Sequence, residues 1–304
     1  MSFIGLVIHL VLLLLLPPLL LGLVVKTKAF VAGRRGPPLL QPYWDLEKLL
    51  RKGAVYSRTT TLLFRAGPVV ALAAVLVAGL IVPMGRSAAP LRFEGDLVLF
   101  AYLLGLARFA TMLAALDTGS SFEGMGASRE ATFSTLAEPI LFLALALYAM
   151  ATGQLSLSGI AAALHPTGIG PALLLVTAGL VVVTLVENSR VPVDDPATHL
   201  ELTMIHEVMV LDHGGPDLAL ILYGASLKLL ITGALVVLPF LPGPFGAALD
   251  APIFAGAMLG LAVAVGLVES VMARLRLIRV SLMILGAFVL ALLGVVMTVA
   301  GRSA

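Results

Sequence analysis

Hydrophobic residues run through this chain in unbroken blocks of about 20, the length that carries an α-helix across a bilayer at 1.5 Å per residue. Eight such blocks are predicted, at residues 3–25, 67–84, 97–116, 134–152, 171–186, 218–240, 253–270 and 280–300. They predict an all-α, polytopic membrane helix bundle. Before the first block there is no positive stretch, and Lys26 and Lys28 follow it where a signal peptide would carry small residues for cleavage, so it reads as a retained span. No period of 20–50 residues repeats and no Gly/Ser linker divides the chain. Residues 1–304 therefore read as a single integral membrane domain.

Composition sharpens this. The chain is 60% hydrophobic and 12% charged, with a mean hydropathy of +1.09, whereas a soluble domain is about 45–50% apolar and about 25% charged. A soluble protein is excluded. The net charge of +2, scattered over 19 Lys/Arg and 17 Asp/Glu, lacks the basic stripe that nucleic acid requires. With no cysteine, the chain supplies no disulfide, thiolate metal ligand or Fe–S ligand, so any redox centre belongs to a partner.

The cations set the predicted orientation. Segments after the odd-numbered blocks hold 14 of the 19 Lys/Arg, and those after the even-numbered ones hold Arg86, Arg92 and Arg302. Both termini are thus expected outside, with the main loops, 26–66 and 187–217, in the cytoplasm. In the first loop, residues 43–52 read as a short amphipathic helix. Trp44 suits the headgroup level, and Lys48, Arg51 and Lys52 suit anionic lipid or a docked protein.

Two cations, Arg108 and Lys228, lie inside blocks. A lone charge at bilayer depth costs at least about 2.5–3.5 kcal/mol and is normally paired or hydrated. The candidate partners are Glu138, Glu187 and Glu269. Pro139, next to Glu138, removes a backbone donor and frees a carbonyl, as beside a hydrated cavity. A purely structural ion-pair role is the alternative.

The densest polar stretch is the acidic and histidine-bearing loop 187–217. Asp194, Asp195 and Pro196 have the form of a helix start, and Gly214, Gly215 and Pro216 read as a helix stop. On the helix expected between them, His199, Thr203, His206 and Glu207 share a stripe of roughly 100°, while Glu201 falls among Met204, Ile205 and Val208. A carboxylate on that apolar side is either salt-bridged or has its pKa raised, and a group so tuned loads and releases protons. The seven-residue spacing of His199, His206 and His213 is too wide for one metal ion, and no HExxH, Walker A or GxSxG pattern occurs. No catalytic group and no metal ligand set is predicted.

Three stretches carry a resemblance. Gly36–Pro37–Pro38–Leu39–Leu40–Gln41–Pro42 with Trp44, Leu46 and Lys48 is one; Gly126–Ala127–Ser128–Arg129–Glu130 with Leu136–Ala137–Glu138–Pro139 is the second; Glu187 to Thr203, ENSRVPVDDPATHLELT, is the third. In this order, and with the Arg-rich segment at Arg274, Arg276 and Arg279, they resemble the complex I subunit 1 family. They resemble its hydrogenase branch in particular, that of formate hydrogenlyase subunit 4 and the membrane subunit of energy-converting [NiFe] hydrogenases. Quinone-reducing members resemble one another in a Pro-Phe-Asp-Leu-Pro-Glu-Ala-Glu-Ser-Glu stretch, where this chain has Pro192–Val193–Asp194–Asp195–Pro196–Ala197–Thr198–His199–Leu200–Glu201.

The resemblance implies a non-catalytic membrane subunit of an oxidoreductase. It docks a peripheral arm whose subunits hold Fe–S clusters and a [NiFe] centre, and it adjoins an antiporter-like, ion-pumping subunit in a prokaryotic cytoplasmic membrane. Gln41, Pro42, Trp44, Lys48, Arg129, Arg190, His199 and His206 are the expected arm-docking or quinone-like surface. Asp194, Asp195, Glu201 and Glu207 are expected to change protonation, with Glu187, Glu138 and Glu269 passing on the charge and Arg108 and Lys228 as countercharges. Arg190 is alternatively expected to hold the loop against Asp194 or Asp195. A quinone-reactive subunit of NADH:quinone oxidoreductase and a stand-alone secondary transporter are the other readings.

Overall fold

Backbone N–H and C=O groups in an apolar run find no partner in lipid but each other, and each of the eight blocks folds as helix. The computed structural model describes residues 2–164, 170–194, 204–243 and 245–303. Its helices are α1 (Phe3–Val31), α2 (Gln41–Leu50), α3 (Leu62–Ile81), α4 (Asp96–Asp117), α5 (Ser121–Thr152), α6 (Leu157–Ala163), α7 (Pro171–Glu187), α8 (His206–Met209), α9 (Gly215–Val237), α10 (Ala247–Val271) and α11 (Leu277–Ser303). Among the described residues there is no strand. Seven of these helices are long and apolar enough to cross a membrane; α7, with 17 residues, is shorter and spans about 26 Å. One hydrophobic cluster joins α1, α3, α4, α5, α7, α9, α10 and α11.

At the centre stands α9. Of its most apolar stretch 72% is buried, against 28% for α10 and 22% for α11, which lie at the edge. Contacts with α9 involve α1, α2, α3, α7 and α10. Two tandem prolines inside α1 shape one of these junctions. Pro18 has no N–H to offer the carbonyl of Leu14 four residues back, and Tyr223 Oη of α9 donates to that oxygen instead, at 2.9 Å. The next carbonyl, of Leu15, accepts from Tyr43 Oη of α2, so the proline break docks both the central helix and the surface helix.

Two expectations need correction. First, α5 begins at Ser121, not at 134. The polar residues 121–133 read as loop, yet Glu123, Gly126, Ala127 and Glu130 are buried beneath the strap that carries α8. A Cβ on Gly126 would fall 2.4 Å from Val208 Cγ1 and 2.9 Å from the Ile205 carbonyl, so only glycine admits the strap this closely. Second, the continuous helix expected from Pro196 to Gly214 does not form over its described part. Met204 and Ile205 are not helical and only His206–Met209 makes a turn. Gly214–Gly215–Pro216 starts α9, with Pro216 and Asp217 in its first turn, where the sequence read as a stop. Proline's preset φ and missing N–H suit a first turn, and here they outweigh the glycines' stop signal.

Candidate functional site

Arg108, on α4, is 6% exposed and collects carboxylates from two other helices. Its Nη1 lies 2.6 Å from Glu138 Oε1 and its Nη2 2.5 Å from Glu187 Oε1, while Nε is 3.8 Å from Glu130 Oε1. Glu130 and Glu138 sit eight residues apart on α5, within one stripe of the helix, and Glu187 ends α7. From α9, Lys228 Nζ approaches Glu187 Oε2 at 3.7 Å. The expected pairing of Arg108 and Lys228 with Glu138 and Glu187 is therefore present. Glu187 is its buried hinge, with a side chain 3% exposed against 44% for Glu138. Three carboxylates meet two cations, so the cluster has one carboxylate more than it has cations.

Two of these contacts exceed direct hydrogen-bond reach. Beside them, Arg108, Glu130, Lys228 and His206 line a cavity of about 30 Å³, room enough for a water molecule to relay between the charges. A second cavity, of about 270 Å³, opens between α1, α2, α9 and the loop after α7. Pro18, Val25, Leu46 and Ile221 belong to its apolar wall; Pro42, Asp45, Arg190, Asp194, His206 and Glu207 are among its other lining residues. His206 belongs to both cavities. Loss of water, and then the charge of Lys228, pushes its imidazole down to about 4.

The loop is held by its own acids and bases. Asp194, 1% exposed in its side chain, accepts from the amides of Ile205 at 3.0 Å and His206 at 3.2 Å, and its other oxygen lies 2.8 Å from Arg274 Nη2. Arg129 of α5 donates to the Met204 carbonyl at 2.8 Å. His213 stacks on Phe64, with ring centroids 4.0 Å apart, and burial lowers its pKa.

Other expected positions fall elsewhere. Glu269 was expected beside Arg108 or Lys228, yet it lies 2.9 Å from Lys28 and 3.4 Å from Arg190, because α10 packs along α1. Arg190 accordingly pairs with Glu269 and not with Asp194, which takes Arg274. Of the expected docking residues on α2, Pro42 lines the cavity. Gln41 donates to Asp45 at 2.9 Å, and Trp44 and Lys48 lie on the exposed side, apart from the cavity lining. Asp195, His199 and Glu201 lie outside the described residues. Sequence reasoning passed over Glu130 and Arg274 as site residues. Glu130 stood within the second stretch of the resemblance, but at the polar start of a block, where a carboxylate reads as solvated.

A family model described as NADH dehydrogenase matches residues 4–300. The chain is 35% identical over 235 residues to hydrogenase-4 component C of Escherichia coli (strain K12), covering 76% of this chain and 73% of that one. It is 32% identical over 272 residues to formate hydrogenlyase subunit 4 of the same organism, covering 86% and 87%. Its fold matches a chain of the membrane-bound sulfane sulfur reductase, an archaeal respiratory membrane complex, with a TM-score of 0.84 and 21% identity, over 97% of this chain and 99% of that one. The chain belongs to the NADH dehydrogenase family and is a membrane subunit of the complex I subunit 1 type, part of an energy-converting complex.

Proposed function

We propose that this subunit couples electron transfer in a docked hydrogenase-type arm to the movement of protons or sodium ions. The observation that carries the proposal is the position of His206, shared between the loop-side cavity and the water-sized cavity at Arg108. A shift of the strap through His206 by the arm reaches the cavity beside Arg108 at that side chain.

On this reading the arm rests on the loop and on α2. Asp194, Asp195, Glu201 and Glu207 take up the change, Glu187 and Glu138 relay it with Arg108 and Lys228 as countercharges, and Glu269 acts from beside Lys28 and Arg190. The names of the two Escherichia coli relatives support a hydrogenase-type arm. Fe–S clusters and a [NiFe] centre would belong to its subunits, since a chain without cysteine does not offer their donor set. An antiporter-like subunit would carry the ions. The concentration of cations on one set of loops supports placing that face in the cytoplasm, and the two Escherichia coli relatives support a prokaryotic membrane.

What this chain's residues do is electrostatic. With one carboxylate in excess, adding or removing one proton changes the cluster between neutral and anionic, and at low dielectric such a change is felt strongly by neighbouring charges. The test is the assembled complex in sealed vesicles, with electron transfer and ion uptake followed together. Glu187→Gln is expected to lower ion uptake per electron at least about tenfold, the weight of roughly 1.4 kcal/mol, while electron transfer continues. Uptake per electron equal to wild type sinks the proposal.

A second reading, quinone reduction, is favoured by the 270 Å³ cavity with its apolar wall. Purification from native membranes separates the two. Nickel with iron in the co-purified partners supports the hydrogenase arm, and bound quinone with flavin and no nickel supports the other.

A further inference from the structure

Away from the Arg108 cluster, the ends of α1 and α10 enclose an open cleft of about 750 Å³, and its lining is unbalanced in charge. Lys28, Arg34 and Arg190 line it with one carboxylate, Glu269. Lys28 and Arg190 share that carboxylate. Arg34 has no carboxylate partner among the described residues, and the buried Nε of Arg190 finds no acceptor among them. Surplus donors in a partly buried cleft call for an anion with several acceptor oxygens, and guanidinium pairs match a phosphate in both charge and geometry.

The turn that presents Arg34 is built for its position. Gly33 and Gly36 take φ of +68° and +63°, which lets the chain fold back on α1, and Lys26 Nζ donates to the Arg35 carbonyl at 2.7 Å. Next to the cations the surface turns apolar. Val25, Phe30 and Val31 of α1 are exposed, as are Val271 and Met272 at the end of α10. Cations beside exposed aliphatic and aromatic side chains, at the ends of two membrane-spanning helices, match the outline of a lipid with a charged head.

We infer that this cleft binds the phosphodiester headgroup of an anionic phospholipid, with its acyl chains lying along α1 and α10. The inference goes beyond the coupling role, since it requires neither the arm nor ion movement.

Native mass spectrometry of the full chain, extracted from vesicles of equal parts phosphatidylglycerol and phosphatidylcholine, tests it. Wild type retains phosphatidylglycerol in preference to phosphatidylcholine. Arg34→Gln and Lys28→Gln each lower the retained amount about fivefold, the weight of one cation at a lipid headgroup, whereas Arg58→Gln, on an exposed loop outside the cleft, leaves it unchanged. Arg34 is exposed and its variant folds even if Lys28→Gln, which strips a partner from Glu269, does not. Equal loss in Arg58→Gln, or equal retention of both lipids, overturns the site. Displacement of phosphatidylglycerol by inorganic phosphate, with no preference left between the lipids, overturns the lipid assignment in favour of a free anion.

Discussion

His206 lines both the larger loop-side cavity and the small charged one, and its imidazole is neutral at neutral pH. A neutral ring offers one donor and one acceptor, which suits a side chain with a cavity on either side. The same tuning sets a pH dependence. The native pKa is about 4, below the ordinary 6.5, so the unfolded chain binds the proton more readily in between. Stability is then full above pH 6.5 and is lost as pH falls toward 4. Wild type and His206→Gln should show parallel thermal stabilities above pH 6.5, with wild type losing ground to the variant between pH 6.5 and 4; a constant offset down to pH 4 contradicts the assignment. Much of this residue's neighbourhood was legible. Arg108, Lys228, Glu138 and Glu187 stand out because each interrupts or borders an apolar run, and a charge there demands a partner. Glu130 did not stand out, since its sequence surroundings, Ser128–Arg129–Glu130, look like solvated loop until α8 is laid over them.

At the scale of elements, the strap through Met204–Met209 is the part least determined by periodicity and most by tertiary bonds. One turn of helix is marginal alone; Asp194 supports it by capping the amides of Ile205 and His206 and by holding Arg274. Asp194→Asn and Arg274→Gln are each expected to destabilise the protein, with the double variant costing less than the sum by about 1–3 kcal/mol, as for contacting residues. Hydrogen exchange should quicken at the amides of Ile205 and His206 in Asp194→Asn; unchanged exchange there removes Asp194 from this role. The eight blocks were readable as helices because apolar runs in lipid have no other fold. Their ends were not. A helix start at Ser121 depends on burial by the strap through Met204–Met209, far along the chain, and Gly214–Gly215–Pro216 carries a stop and a start signal together, which local sequence does not rank.

The whole molecule has two unlike faces. One bears α2, the strap and both cavities. On the other, the buried Arg86 donates to the carbonyls of Ala161, Leu241 and Pro242 at 2.7, 2.5 and 3.1 Å, tying three connecting segments together. Arg86→Gln leaves carbonyls unsatisfied and is expected to cost about 2 kcal/mol or more of stability, with ion uptake per electron unchanged; altered uptake per electron would place Arg86 in the coupling path. Which helices are neighbours was beyond the reach of the sequence, as Glu269 illustrates: its charge was visible, but its partners follow from α10 lying on α1. The gathering of charge around Arg108 also bears on how the protein is made. Synthesis delivers α4 to the bilayer before α5 and α7, so for a time Arg108 has no carboxylate to meet it, a state costing about 2.5–3.5 kcal/mol in lipid. Glu130 and Glu138 arrive with the next span, Glu187 with α7, and Lys228 after them. The charged cluster is therefore expected to close stepwise, as α5 and then α7 join α4 in the bilayer, with α9 completing it.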